Sequence, residues 1–127
     1  MPIAIRNIDH VVLHTADMER AIAFYTGVLG CRVARRRPDG AMVHLQAGSA
    51  MIDLVPRAPG VAEGRNMDHV ALRVEPFDPD AIAAHLRAHG VACGPVVQRF
   101  GAEGTGPSVY LSDPDGNGVE LKGPAEG

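Results

Sequence analysis

Aromatic residues and positive charge are both scarce in this sequence of 127 residues. It contains three Phe, two Tyr and no Trp, so its core must be built from Val, Ile, Leu, Ala and Met. Twelve Lys and Arg stand against 15 Asp and Glu, which gives a formal net charge of −3. A nucleic-acid-binding protein normally has a basic surplus or a basic face with aromatic residues. We therefore expect no nucleic-acid partner.

Cysteines and long apolar runs are scarce as well. Cys31 and Cys93 form no Cys-x-x-Cys pair and are too few for a disulfide scaffold, which favours a reducing compartment. No apolar run approaches the ~18 residues that a membrane span needs, and the first residues do not resemble a secretory signal. We expect a cytoplasmic protein with no membrane partner. The 46% hydrophobic content and the length indicate one globular domain.

One short segment occurs twice along the chain. Asp9–Leu13 has the sequence DHVVL, and 59 positions later Asp68–Leu72 has the sequence DHVAL. Apolar residues at helical spacing follow each copy, which predicts a helix after each. They are Met18, Ala21, Ile22, Tyr25 and Leu29 in the first half, and Ile82 and Leu86 in the second.

Residues that begin and end helices flank both apolar stripes. Asp17 and Asp78 are suited to cap the N-termini, and Gly30 and Gly90 allow a left-handed end. Three strand-like segments follow each helix: 32–37, 41–47 and 51–55, then 95–100, 108–112 and 118–122. Both halves therefore predict the order β-α-β-β-β.

The predicted fold is α+β, with two tandem βαβββ modules that form a half-open barrel around a shared cavity. A single domain covers residues 1–127, with module one at about 5–57, a linker at about 58–65 and module two at about 66–123. Each module alone is too small to bury a good core. The glycine-rich segment 101–106 predicts a mobile hairpin over the mouth of that cavity.

Strand alternation predicts which polar side chains face the cavity. Neighbouring residues of a strand point to opposite sides, so Val11 and Leu13 pack under the helix and His10 faces away. The same alternation assigns three more side chains to the cavity face: Asp53, His69 and Glu120. Two imidazoles and two carboxylates suit a divalent metal such as Zn, Ni, Co, Mn or Fe. They lie 43, 16 and 51 positions apart, so only the fold can bring them together.

Further polar side chains share this face by the same alternation: His44, Gln46, Arg73, Ser108 and Tyr110. His44 is a candidate acid–base group, with a polar lining residue as the alternative. The others are candidate substrate-binding residues, although Ser108 also suits the flank of a turn and Tyr110 the edge of a core. The arginines at 35–37 favour a solvated edge strand guarded by charge, with attraction of an anionic substrate as the alternative.

Four segments together resemble the vicinal oxygen chelate superfamily. They are Ile8–Leu13, Ala23–Gly30 with the sequence AFYTGVLG, Asp68–Leu72, and Asp113–Leu121 with the sequence DPDGNGVEL. The resemblance covers residues from about 5 to 123. The superfamily includes glyoxalase I, methylmalonyl-CoA epimerase, fosfomycin resistance proteins, extradiol dioxygenases and bleomycin-binding proteins. Its members commonly form homodimers, so the resemblance implies a homodimer here.

The resemblance also implies a metal-ligand set. The family's ligand positions fall on His10, Asp53, His69 and Glu120, of which all but Asp53 have the usual residue type. The shorter Asp53 ligates weakly, acts through water or serves as a general base. Together with His44, which alternation places on the same face, Glu120 and Asp53 are the candidate catalytic groups.

Three functions fit this resemblance. The first is a metal-dependent enzyme of the glyoxalase type, a lyase or isomerase resembling lactoylglutathione lyase. The short turn at Pro38–Gly40 and the Asp at position 53 depart from that enzyme. The second is a fosfomycin-modifying enzyme, because Ser108 and Tyr110 resemble a Ser-x-Tyr that holds the phosphonate. The third is a metal-free protein that binds an antibiotic or another small molecule.

Overall fold

The chain divides into two compact units, Met1–Ala62 and Glu63–Gly127, each built as a four-stranded sheet with a helix. The computed structural model describes residues 4–58 and 67–126. Most of the linker predicted at 58–65 lies outside the described residues. Both units follow the order β-α-β-β-β, so the predicted α+β class and the repeated βαβββ pattern are confirmed.

The first unit contains four strands, an α-helix and a π-helical segment. Strand β1 pairs with β4 in parallel, whereas the β2–β3 and β3–β4 pairs are antiparallel, which gives the order β1-β4-β3-β2. The edge position of β2 agrees with the edge strand predicted from its arginines. The elements are β1 (His10–Thr15), α1 (Met18–Ala23), the π-helical segment (Phe24–Val28), β2 (Arg32–Arg36), β3 (Val43–Ala47) and β4 (Ala50–Pro56).

The second unit repeats this topology. Its strand order is β5-β8-β7-β6, again with one parallel pair between the first and last strands of the unit. Because each first strand lies beside a last strand, residues far apart in sequence become neighbours. The elements are β5 (His69–Arg73), α2 (Pro79–Ala88), β6 (Val97–Gly101), β7 (Gly104–Ser112) and β8 (Gly118–Lys122).

The apolar residues of each sheet are buried on one face, as the alternation predicts. In unit 1 this face comprises Leu13, Val43, Leu45, Ile52 and Leu54, and the buried residues of the helical segments are Ala21, Ile22, Phe24 and Tyr25. In unit 2 it comprises Val109, Leu111, Val119 and Leu121, with Leu86 buried on α2. Each large aliphatic side chain contributes roughly 1.5–3 kcal/mol through burial. The polar residues on the other face of each sheet are thereby held in position.

Both helices begin as predicted. The Asp17 carboxylate accepts from the Arg20 N–H and the Asp78 carboxylate from the Ala81 N–H, each at 3.1 Å. The first helix differs from the expectation in its second half, because α1 ends at Ala23 and continues as a π-helical segment. There the Thr26 hydroxyl donates to the Ile22 carbonyl at 2.6 Å, a contact that favours bending of a helix.

Both helical segments end near a glycine with positive φ, as predicted. Gly30 has a φ of 78° and Gly90 a φ of 71°, values that cost other residues more than glycine. Among the residues that the structure describes, no helix is long and apolar enough to cross a membrane.

The hairpin predicted at the glycine-rich segment 101–106 is present as the β6–β7 pair, and its turn is short. Strand β6 extends to Gly101 and β7 begins at Gly104, so only Ala102 and Glu103 connect them. The glycines serve close packing: a Cβ at Gly106 would collide with the carbonyl of Pro124. Gly106 is therefore a strand residue, and its lack of a side chain allows the backbone of Pro124 to pack close to β7.

The loop before β8 is organised by one buried carboxylate. Asp113 Oδ1 accepts from the backbone N–H groups of Asp115 and Asn117 at 2.9 and 2.8 Å. Its Oδ2 accepts from the Asn117 side-chain amide at 3.0 Å. This loop sets the start of the strand that carries Glu120.

We predict that Asp113→Ala lowers the free energy of unfolding by about 1–3 kcal/mol, because buried donors lose their acceptor. Urea unfolding followed by circular dichroism measures this change. Ser112→Ala is the matched control, since Ser112 is exposed beside the loop. Equal stability of the two variants would contradict the role assigned to Asp113.

Candidate functional site

In unit 1 the polar face of the sheet carries a line of hydrogen-bonding side chains. His10 Nδ1 lies 2.8 Å from Asp9 Oδ2, and His10 Nε2 lies 4.0 Å from Asp53 Oδ2. The Asp53 side chain is 6% exposed and that of His10 48%. The arrangement is a surface carboxylate, an accessible imidazole and a buried carboxylate in series.

His44 approaches the same buried carboxylate from the neighbouring strand. It lies directly opposite Asp53 in the β3–β4 pair, and its Nδ1 is 2.9 Å from Asp53 Oδ1. The His44 side chain is 22% exposed, so the imidazole is within reach of a small molecule. An imidazole oriented by a buried carboxylate is suited to transfer a proton through its other nitrogen.

Unit 2 repeats the first arrangement with a glutamate. His69 Nδ1 lies 2.7 Å from Asp68 Oδ2, and His69 Nε2 lies 3.3 Å from Glu120 Oε1. The Glu120 side chain is 6% exposed. Strands β1 and β5 therefore each present an imidazole nitrogen to a buried carboxylate on the last strand of their unit.

Two hydroxyl groups hold Glu120 in place. Ser108 Oγ donates to Oε2 at 2.7 Å, and Tyr110 OH donates to Oε1 at 2.9 Å. Burial is the largest influence on the pKa of Glu120 and raises it. These two hydrogen bonds and the charges of His69 and Lys122 together outweigh burial, so the net pKa is lowered. Glu120 is thus ionised at neutral pH.

The pKa values of two further side chains, His10 and Tyr110, are also shifted. The hydrogen bond to Asp9 is the largest influence on the pKa of His10 and raises it. Burial is the next largest and lowers it, and the charges of Asp53 and Asp9 add to the rise, so the net pKa is raised. Burial, followed by the hydrogen bond to Glu120, raises the pKa of the Tyr110 hydroxyl. Tyr110 therefore keeps its proton and acts as a donor at neutral pH.

Gln46 and Arg73, the other predicted substrate-binding residues, contact the protein itself. The Gln46 amide donates to the carbonyls of Gly48 and Ala50, at 2.8 and 3.1 Å, within the β3–β4 hairpin. Arg73 donates to Glu75 and Glu103, both at 2.9 Å. The structure therefore shows a structural contact for each of these side chains.

Three residues that contact or lie beside the predicted site residues were not among the candidates from the sequence. Asp9 and Asp68 bind the Nδ1 atoms of the two histidines, and the repeated Asp-His pair was the available signal. Lys122 shares the face of Glu120, and its ammonium donates to the Arg99 carbonyl at 2.6 Å. Alternation along β8 was the signal for this lysine.

The donor atoms of each pair are suited to a divalent metal. Acceptance of the Nδ1 proton by a carboxylate leaves Nε2 as the ligand atom, the arrangement usual for metal-binding histidine. Ligand bonds of about 2.1 Å place neighbouring donors roughly 3–3.5 Å apart. The N–O separations of 3.3 and 4.0 Å are close to this requirement. Across residues 4–58 and 67–126, however, no group of three or more His, Cys, Asp and Glu is arranged to hold an ion.

Comparison with known sequences identifies one family over most of the chain. The profile of the Glyoxalase/Bleomycin resistance protein/Dioxygenase superfamily matches residues 7–121. The glyoxalase domain-containing protein RDO1 of Mycosarcoma maydis is 34% identical over 94% of this chain and 69% of its own length. Catechol-2,3-dioxygenase of Bacillus subtilis is 28% identical over 91% of this chain, which spans only 40% of the dioxygenase.

Solved structures show the same fold. Virulence protein STM3117 from Salmonella typhimurium superimposes with a TM-score of 0.81 at 25% identity, over 97% of this chain and 100% of the other. TnmS3, an antibiotic binding protein from Streptomyces sp. CB03234, superimposes with a TM-score of 0.75 at 25% identity, over 97% and 99%. The architecture is therefore glyoxalase-like.

We predict that Glu120 stabilises the fold in a pH-dependent way. Its pKa is lowered on folding, so its contribution is present above the unfolded pKa and is lost as pH falls through the folded pKa. Unfolding free energies of wild type and Glu120→Gln, measured in urea with EDTA from neutral to acidic pH, should converge at acidic pH. A difference that stays constant across this range would contradict the prediction.

Proposed function

The chain belongs to the Glyoxalase/Bleomycin resistance protein/Dioxygenase superfamily, and we propose that it is a metal-dependent enzyme of the glyoxalase type. Its reaction is that of a lyase or isomerase acting on a small molecule. One observation carries the proposal: each unit aligns an aspartate, a histidine and a buried carboxylate in the same way. A histidine with a merely structural role does not require this arrangement twice.

The proposed ligands of one divalent ion are His10, Asp53, His69 and Glu120. Zinc, nickel, cobalt, manganese and iron all accept nitrogen and carboxylate oxygen donors. When bound, such an ion supplies Lewis-acid stabilisation of negative charge on a substrate oxygen. Each unit carries two of the four donors, so the full set requires both kinds of unit.

The protein's own groups have distinct parts in this proposal. Glu120 enters as a carboxylate, because Ser108 and Tyr110 hold it in its charged form. Asp53 accepts from His44 Nδ1, which leaves Nε2 of that imidazole to take or return a substrate proton. The shorter Asp53 thus positions a base and contributes an oxygen to the ligand set.

A binding protein without metal is the second candidate. The similarity to the antibiotic binding protein TnmS3 over 97% of the chain favours it. An apolar contact is available at Val12, which is 45% exposed on the same strand face as His10. The fosfomycin alternative has less support, since the hydroxyls of Ser108 and Tyr110 both donate to Glu120.

We predict that the protein binds about one divalent ion per chain and that three variants lose it: His10→Ala, His69→Ala and Glu120→Ala. Metal per chain is measured by mass spectrometry after loading with Ni, Co, Zn or Mn and removal of free ion. The measurement uses a His85→Ala background, because exposed His85 and His89 are close on α2 and can bind ions on their own. A parent protein that stays metal-free would contradict the proposal and favour the binding protein.

Asp9→Asn and Asp68→Asn sharpen this test. Each removes the acceptor of a histidine Nδ1 proton and should weaken metal binding about 10–100-fold. Asp80→Asn on exposed α2 is the matched control and should leave the affinity unchanged. Conversion of the methylglyoxal–glutathione adduct by the loaded protein then tests the glyoxalase-type reaction, with fosfomycin plus a thiol as the comparison.

We further propose that the protein acts as a homodimer. The two donors of one unit can be completed by the other kind of unit from a second copy as well as from the same chain. Size-exclusion chromatography with light scattering should give about twice the chain mass of 13.4 kDa. A mass near that of one chain would contradict the dimer and leave the metal proposal in place.

A further inference from the structure

Strand β2 pairs irregularly with β3. Val33 lies opposite Leu45, but the next pair joins Arg35 to His44, so Ala34 is an extra residue in β2. Two residues on one strand thus oppose one on its partner, which defines a β-bulge. Bulges of this kind redirect the side chains that follow them.

The bulge brings two arginines to one face of the sheet. Residues directly opposite in an antiparallel pair share a face, so Arg35 emerges beside His44 and Arg32 beside Gln46. In a regular strand, residues three positions apart point to opposite faces. The extra residue therefore adds a second positive charge to the face that carries His44.

The remaining arginines of this segment are already neutralised. Arg36 emerges on the opposite face and binds Glu19 of α1 at 3.1 Å, and Arg37 binds a carboxylate at 2.8 Å. In the part of the chain that the structure describes, neither Arg32 nor Arg35 makes a side-chain hydrogen bond or ion pair. The charges left for an external anion are thus on the His44 face.

We propose that Arg35, with Arg32 beside it, binds an anionic oxygen group of the substrate, a carboxylate or a phosphonate. The proposal rests on the proposed function, because Arg35, His44 and Asp53 form one row across β2, β3 and β4. The guanidinium fork matches two oxygens of such a group, which a lysine does not.

The row also limits the size of the substrate. Two strand spacings separate the Cα atoms of Arg35 and Asp53, a distance of about 10 Å. An extended Arg35 side chain covers part of this distance. In the proposed substrate, the anionic group therefore lies a few bonds from the atom that exchanges a proton with His44. Protection of an exposed sheet edge also uses charge, but it does not depend on the face from which an arginine emerges.

The test is anion binding by the EDTA-treated full chain, measured by calorimetry with benzoate, phenylphosphonate and neutral benzamide. Wild type should bind at least one anion more tightly than benzamide, and Arg35→Gln should weaken that binding about tenfold, the effect of one charge-assisted hydrogen bond. Arg36→Gln is the matched control with the same loss of charge on the opposite face, and its affinity should stay within about twofold of wild type.

The outcomes separate the possibilities. The anion that wild type binds more tightly, benzoate or phenylphosphonate, identifies the group. Arg35→Lys keeps the positive charge but not the guanidinium fork, so its affinity should lie between those of Arg35→Gln and wild type. Equal losses in Arg35→Gln and Arg36→Gln, or no preference of wild type for anions over benzamide, would overturn the proposal. Metal content is measured on the same proteins: normal metal binding without the Arg35 effect refutes the anion subsite alone. The Arg35 effect in a protein that binds no metal refutes the metal enzyme instead.

Discussion

Two buried carboxylates, Asp53 and Glu120, are the constraint on which the polar faces of both sheets depend. A charge removed from water is strongly unfavourable unless hydrogen bonds or opposite charge compensate for it. Each carboxylate is compensated from the adjacent strands of its own sheet, by His44 and His10 in one unit and by hydroxyls and His69 in the other. Strand register therefore determines the electrostatics of the site, and a slip of one residue would leave both charges uncompensated.

The two units place different side chains at equivalent positions of the same topology. Position for position, His44 opposite Asp53 corresponds to Tyr110 opposite Glu120. An imidazole has one ring nitrogen left over after its contact with the carboxylate, whereas the Tyr110 hydroxyl uses its only proton in that contact and keeps it because its pKa is raised. The equivalent positions of the two units thus hold different partners of a buried carboxylate, an imidazole in unit 1 and a phenol in unit 2.

Much of this arrangement was predictable from periodicity alone. Alternation assigned His10, Asp53, His69 and Glu120 to the polar faces because apolar neighbours such as Leu54 and Val119 had to be buried. The β-bulge at Ala34 was not predictable, since an extra residue leaves no periodic signal in a strand whose five residues include three arginines. The hairpin at 101–106 was predictable from its glycines, but its two-residue turn was not, because composition does not show that Gly106 lies in a strand packed against Pro124. Contacts of Gln46 and Arg73 depend on turn geometry that only the folded chain specifies.

The parallel pairing of first and last strands has a consequence for how the site is assembled. His10 and Asp53 are 43 residues apart in sequence, and His69 and Glu120 are 51 apart, yet each pair lies on neighbouring strands. Contacts of such high sequence separation close long loops of chain, and the entropy lost in closing them must be offset by the rest of the unit. Neither pair is therefore close together in an unfolded chain, and any ligand that contacted both members of a pair would stabilise the folded state of that unit.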